Sequence, residues 1–212
     1  MKTFVIVPVK KFENGKTRLS SLLNIEERIL LSSHMLDYTL QVLSIAPSVN
    51  RVTVVSVDDL AKEIASKHGA KFLPEEKQNG VNSAVALADR YCIEEHAEAT
   101  LVVPHDLPLL DALDICRACD LAQNEDRCIV ICPSLRHDGT NILLRKPPSV
   151  IRTFYDTDSY NMHVKSALKL GIPVKYLMSK NVMNDIDTPD DARRLANEDR
   201  DSKILEFLRS KC

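Results

Sequence analysis

Apolar and polar positions along this chain alternate between two kinds of pattern. Residues 3–9 are an unbroken apolar run rich in β-branched side chains, which predicts a strand covered on both faces and therefore central in a sheet. A polar loop follows. From Asn24, a predicted N-cap with Glu26 and Glu27 in the first turn, the apolar positions Ile29, Leu30, Leu36, Leu40 and Leu43 predict a long helix that ends at Pro47. Residues 51–57 read as a second strand, Asp58 or Asp59 as the cap of a helix to His68, and Gly69 as its terminating glycine. A short strand at 71–73 precedes a polar stretch, after which Asn82 opens a helix carrying Ala84, Val85, Leu87, Ala88 and Tyr91. Residues 100–103 form a fourth strand, stopped by Pro104.

The order then changes. A helix near 112–124 leads to strands at 128–132 and 141–144, joined through an Asp138-Gly139 turn. A helix at 161–170 ends at Gly171, a strand at 174–178 follows, and Thr188-Pro189-Asp190-Asp191 starts another helix, with Pro at the first position and an acid three residues after the cap. Strands that alternate with helices and then run consecutively predict an α/β fold, one domain over residues 1–212. No repeat or linker interrupts it, and only the last dozen residues read as detachable.

Composition narrows the partners. Lys+Arg 28 against Asp+Glu 30 leaves a net charge of -2, so no overall field favours nucleic acid or a membrane surface, and any anion must be held locally. No run approaches the roughly 20 apolar residues of a membrane span, and Met1-Lys2-Thr3 passes straight into a strand without a signal-peptide pattern, which predicts a cytoplasmic protein with reduced cysteines. Cys116, Cys119, Cys128 and Cys132 have a spacing that invites zinc. Two of them fall in a helical segment and two in a buried strand without a turn between them, so they read as small apolar side chains.

Three clusters carry the candidate chemistry, each just beyond an apolar run. Lys10, Lys11, Lys16 and Arg18 lie within nine residues after the first strand, beside Gly15, a loop suited to a triphosphate. Gly15-Lys16-Thr17 resembles the tail of a P-loop, but Lys10 stands where that motif needs its first glycine. Asp106 sits between Pro104 and Pro108, whose restricted backbones limit its loop. Asp185 and Asp187, two apart around Ile186, project to one side of an extended segment and together suit magnesium. Asp190 and Asp191 are explained by the helix that follows. Gly80 and Asn82 at a helix start offer donors to a ribose or base, although an ordinary N-cap explains Asn82 equally well.

In order, these pieces resemble the 2-phospho-L-lactate guanylyltransferase family of coenzyme F420 biosynthesis. The resemblance rests on Pro8-Val9-Lys10, Lys16-Thr17-Arg18-Leu19-Ser20, Gly80-Val81-Asn82, Asp106-Leu107-Pro108-Leu109-Leu110, Gly139-Thr140-Asn141, Ser159-Tyr160-Asn161-Met162-His163 and Asp185-Ile186-Asp187-Thr188-Pro189, which span nearly the whole chain. It implies a nucleotidyltransferase-like three-layer sandwich with a mixed, mostly parallel sheet. It also implies magnesium-dependent transfer of GMP from GTP to the phosphate of 2-phospho-L-lactate, or of a related phospho-acid such as phosphoenolpyruvate, with release of pyrophosphate.

By the same resemblance Asp106, Asp185 and Asp187 organise metal and substrate phosphate, Lys10, Lys16 and Arg18 grip the triphosphate, Gly80 and Asn82 lie near the nucleoside, and Thr140 and Ser159 hold the acceptor phosphate. The chain departs from the family pattern at Phe154-Tyr155-Asp156-Thr157-Asp158, where a glycine often precedes the Ser-aromatic pair, and at His105 and Val81. Two other readings compete: a nucleotidyltransferase for a sugar phosphate or molybdopterin, and a non-catalytic nucleotide sensor. A homodimer is expected only from the commonness of two-fold assemblies.

Overall fold

The first apolar run becomes β1 (Thr3–Pro8), and its alternation places Val5 and Val7 on one face of a sheet and Phe4 and Ile6 on the other. A computed structural model describes all residues, 1–212. In chain order its elements are β1, α1 (Ile25–Ile45), β2 (Arg51–Ser56), α2 (Asp59–Lys67), β3 (Lys71–Pro74), α3 (Val81–Glu94), β4 (Ala99–Val102), α4 (Ala112–Gln123), β5 (Cys128–Pro133), β6 (Thr140–Lys146), α5 (Ser159–Lys169), β7 (Val174–Tyr176), α6 (Lys180–Met183), α7 (Pro189–Ala196) and α8 (Lys203–Arg209). Two short 3-10 turns, Phe12–Asn14 and Thr17–Leu19, lie between β1 and α1.

The seven strands form one sheet in the order β3-β2-β1-β4-β6-β5-β7. β1 is parallel to β2 and β4, while β6 runs antiparallel to both β4 and β5. This is a mixed, mostly parallel sheet. Side chains of α1, α2 and α4 pack on one face with Val5, Val54, Leu101, Val130 and Leu144, and those of α3 and α5 pack on the other with Phe4, Ile6, Val55, Val102 and Leu143. Burying both faces explains why the strands read as continuous apolar runs. The three-layer α/β expectation holds, and no helix is long and apolar enough to cross a membrane.

The chain passes to β2 on one side of β1 and later returns to β4 on the other. Such a switch opens a crevice beyond the carboxyl ends of the two strands. Because β6 is antiparallel to β4, its first residue, Thr140, arrives at this same end of the sheet, as does the loop after β5.

Several elements differ from the sequence expectation. The last dozen residues are not detachable: Ile204, Leu205 and Leu208 of α8 are buried with Leu31 and Met35 of α1 and with Ala192 and Leu195 of α7. A seven-residue helix has too short a periodic pattern to reveal this packing. The helix at 82 is capped by Gly80, at φ 83, rather than by Asn82. The helix at 161 begins at Ser159. Cys119, Cys128 and Cys132 are buried within α4 and β5 as apolar side chains.

Candidate active site

The crevice is a cavity of about 690 Å³ lined by residues of the 8–18 loop, the 104–106 turn, the 134–141 hairpin, the 155–159 segment, Asp185 and Asp187. Of the residues read from sequence, Lys10, Lys16, Arg18, Asp106, Thr140, Ser159, Asp185 and Asp187 all line it. Gly80 and Asn82 do not, and Val81 supplies the wall there. Asn82 turns instead to the 155–158 segment, accepting the Tyr155 N–H at 2.9 Å and donating to the Asp156 carboxylate at 2.9 Å.

The basic loop is pinned from below. Phe12, a buried side chain, donates its backbone N–H to Asp58 Oδ2 at 2.8 Å, while Asp58 Oδ1 caps α2 through Leu60 and Ala61. Arg28 of α1 donates to the Gly15 carbonyl at 2.8 Å. A Cβ on Gly15 would lie 3.2 Å from the Phe12 carbonyl oxygen, so this close turn favours glycine. The turn delivers Lys16, in the left-handed region at φ 50, into the cavity.

Lys16 Nζ donates to Asp106 Oδ2 at 2.6 Å and to Asp187 Oδ1 at 2.9 Å. Residues 90 and 171 positions away thus meet on one ammonium. Burial opposes the charge on Lys16, but Asp106 and Asp187 outweigh it and hold its pKa above the usual lysine value. Lys16 in turn holds Asp106 below the ordinary carboxylate range against its own burial. Arg18 is exposed, 3.7 Å from Asp187, and Lys10 is also exposed.

Asp185 has no such cation within bonding distance. Asn141 Nδ2 donates to it at 3.2 Å, and burial together with the nearby Asp106 pushes its pKa up to about 6. Asp187 is positioned by the helix that follows it, since Asp191 Oδ2 accepts the backbone N–H groups of both Asp187 and Thr188 while closing the α7 capping box. Asp191 therefore contributes to the site indirectly, which its reading as a cap alone did not foresee. Arg136, 3.5 Å from Asp191, adds a fourth cation to the wall.

No three His, Cys, Asp or Glu side chains stand together at metal-binding spacing; Lys16 lies between Asp106 and Asp187. The residues nevertheless fit magnesium. That ion takes one or two carboxylates and completes its shell with water and phosphate oxygens. Six aspartates line the cavity (Asp106, Asp138, Asp156, Asp158, Asp185 and Asp187) against four cations, Lys10, Lys16, Arg18 and Arg136. The carboxylates outnumber the cations, so a polyanion held here would lack neutralising charge unless a cation entered with it.

Across the cavity Thr140 and Ser159 are buried and joined by a 3.2 Å hydrogen bond. Behind them Thr140 Oγ1 is 3.0 Å from His163 Nδ1, and His163 Nε2 accepts the Phe154 backbone N–H at 2.8 Å. Asp158, immediately before Ser159, adopts φ 47 with Asn161 donating to its carboxylate at 2.7 Å. The left-handed backbone that glycine adopts readily is thus kept here by aspartate, one of the few other residues that tolerate it. Sequence reasoning did not assign Arg28, Asp58, Arg136 or His163 to the site, because each acts through a contact between residues distant in the chain or in a loop without a pattern.

The "Guanylyl transferase CofC like" family model matches residues 3–211. The chain belongs to this family. It is 36% identical over 195 residues to a phosphoenolpyruvate guanylyltransferase of Rubrobacter xylanophilus, covering 92% of this chain and 94% of that one. It is 32% identical to the 2-phospho-L-lactate guanylyltransferase of Methanothermobacter thermautotrophicus, covering 99% and 91%, and 30% identical to a 3-phospho-D-glycerate guanylyltransferase of Colwellia psychrerythraea, covering 92% of each. Among solved structures, a cytidylyltransferase from Leptospira borgpetersenii superimposes with a TM-score of 0.64 at 14% identity, covering 99% of this chain and 93% of that one, which supports the nucleotidyltransferase-like fold.

Proposed function

We propose that this guanylyltransferase moves GMP from GTP to the phosphate of a three-carbon phospho-acid, 2-phospho-L-lactate or phosphoenolpyruvate, and releases pyrophosphate in the assembly of coenzyme F420. The observation that carries the reading is the meeting of Lys16 and Asp106, from the loops after the adjacent strands β1 and β4, with Asp187 from the segment between α6 and α7, opposite the Thr140–Ser159 hydroxyls in the same cavity. A donor triphosphate and an acceptor phosphate can be aligned between those two walls.

A phosphate monoester is already an anionic nucleophile near neutral pH, its second pKa being about 6, so attack on the α-phosphorus needs no general base. Catalysis then consists of alignment and charge neutralisation. Lys10, Lys16 and Arg18 bind and orient the triphosphate; Thr140 and Ser159 orient the acceptor. Asp106, Asp185 and Asp187 would hold magnesium, which when bound supplies charge neutralisation on the phosphates.

The test is pyrophosphate release with magnesium and each nucleoside triphosphate, crossed against 2-phospho-L-lactate, phosphoenolpyruvate and 3-phosphoglycerate. Acceptor-dependent release with GTP is expected, and the most active acceptor names the substrate. Release with CTP alone, or silence across the grid from protein that binds GTP, would overturn the reading.

A further inference from the structure

His163 lies behind the cavity wall, fully buried, and touches the Thr140–Ser159 pair from the side away from the ligand space. Its two ring nitrogens have different jobs. A backbone N–H can only donate, so Nε2, which receives the Phe154 N–H at 2.8 Å, must be the unprotonated nitrogen. In the neutral ring the proton then sits on Nδ1, which donates to Thr140 Oγ1 at 3.0 Å. Burial, reinforced by the Arg145 charge, keeps the ring neutral by lowering its pKa to about 4.

Hydroxyl hydrogens can now be counted. Thr140 and Ser159 carry one each. One of them makes the 3.2 Å bond between the two hydroxyls, and His163 consumes neither because it donates. No other protein group accepts from either hydroxyl, and both residues line the cavity. With the opposite tautomer, Nδ1 would accept the second hydrogen and the pair would offer the cavity none.

We infer that His163 is a positioning residue: anchored by the Phe154 N–H, it donates to Thr140 Oγ1 and so leaves the Thr140–Ser159 pair one hydroxyl hydrogen to present to the cavity, where it meets a ligand atom that accepts. A carboxylate or phosphate oxygen meets that requirement; an ammonium group does not. The inference rests on the proposed reaction only in taking this ligand to be the acceptor phospho-acid.

The tautomer is read directly from nitrogen-15 spectra of the histidine-labelled wild-type protein, with H163Q identifying the resonance. Nδ1 protonated and Nε2 unprotonated is expected; the reverse overturns the inference. In steady-state kinetics H163Q, whose amide oxygen can still reach the Phe154 N–H but which offers no donor to Thr140 Oγ1, lets the Thr140 hydroxyl turn away from the cavity, and should raise the acceptor KM about 3-fold or more, as for one neutral hydrogen bond, and leave the GTP KM unchanged. In a T140V background the same change should add little, because the group it acts through is gone. Equal rises in both KM values, or full additivity with T140V, would make His163 a structural residue only and overturn the proposal. Absence of turnover with every acceptor would defeat the proposed reaction while leaving the tautomer result standing. Turnover with Nε2 protonated would defeat this inference alone.

Discussion

Lys16 carries one positive charge that Asp106 and Asp187 share, and its own burial makes it depend on both carboxylates. D187N removes one carboxylate from the reacting centre while keeping its size. It should lower turnover about 10²-fold or more, as for a lost electrostatic contact at the reacting centre, and leave the folded protein intact by circular dichroism. For K16A, isothermal titration should find GTP bound about 10-fold more weakly or worse, because a charge-assisted contact disappears and two carboxylates are left facing each other. Unchanged GTP affinity would remove Lys16 from the triphosphate grip. Asp106 was legible as an acid just beyond β4; Asp185 and Asp187 were legible as a spaced pair ahead of a helix cap, although they follow α6 and not the strand that the sequence pattern suggested. His163 and Arg28 were not, because a helical histidine or arginine has many structural duties.

At the level of elements, the basic loop is only as well placed as the helix beneath it. Asp58 uses one oxygen to cap α2 and the other to hold Phe12, so D58A should cost about 1 kcal/mol through the cap and also raise the GTP KM through the loop. Urea unfolding and initial rates separate the two effects, and a loss of stability with unchanged GTP KM would mean the loop is held by other contacts. Leu205 is fully buried among α1, α7 and α8, so L205A should destabilise by about 2–5 kcal/mol in the same unfolding measurement. A negligible change would return the C-terminal segment to the detachable role its sequence suggested. Its packing is not legible in sequence because about two turns of helix cannot declare which face is covered.

Across the whole molecule, acid should weaken the fold before the surface carboxylates titrate. Burial lowers both His105 and His163 to about 4, below the unperturbed value of about 6.5, so the unfolded chain binds more protons between those limits. Their contribution to stability is complete above pH 6.5 and is lost as pH falls toward 4. Asp185, raised to about 6, works in the opposite direction over much of the same range, but it is one group against two. In chelator-treated protein the midpoint of urea unfolding should therefore fall from pH 6.5 to 4, and H163Q should flatten that dependence. A wild-type midpoint independent of pH over this window would mean that the two imidazoles are solvated.

The linear pattern determined the α/β class, most strands and helices, the caps at Asn24 and Thr188, and the polar clusters beyond the strand ends, because burial on both faces and helix-end chemistry act on neighbouring residues. Which clusters meet was decided only in three dimensions. Lys16 reaches Asp106 and Asp187 because β4 lies beside β1, and Thr140 joins them because β6 runs antiparallel to β4. Strand order and direction arise from packing the whole sheet between two helical layers, an energy shared by residues far apart, which no local spacing encodes.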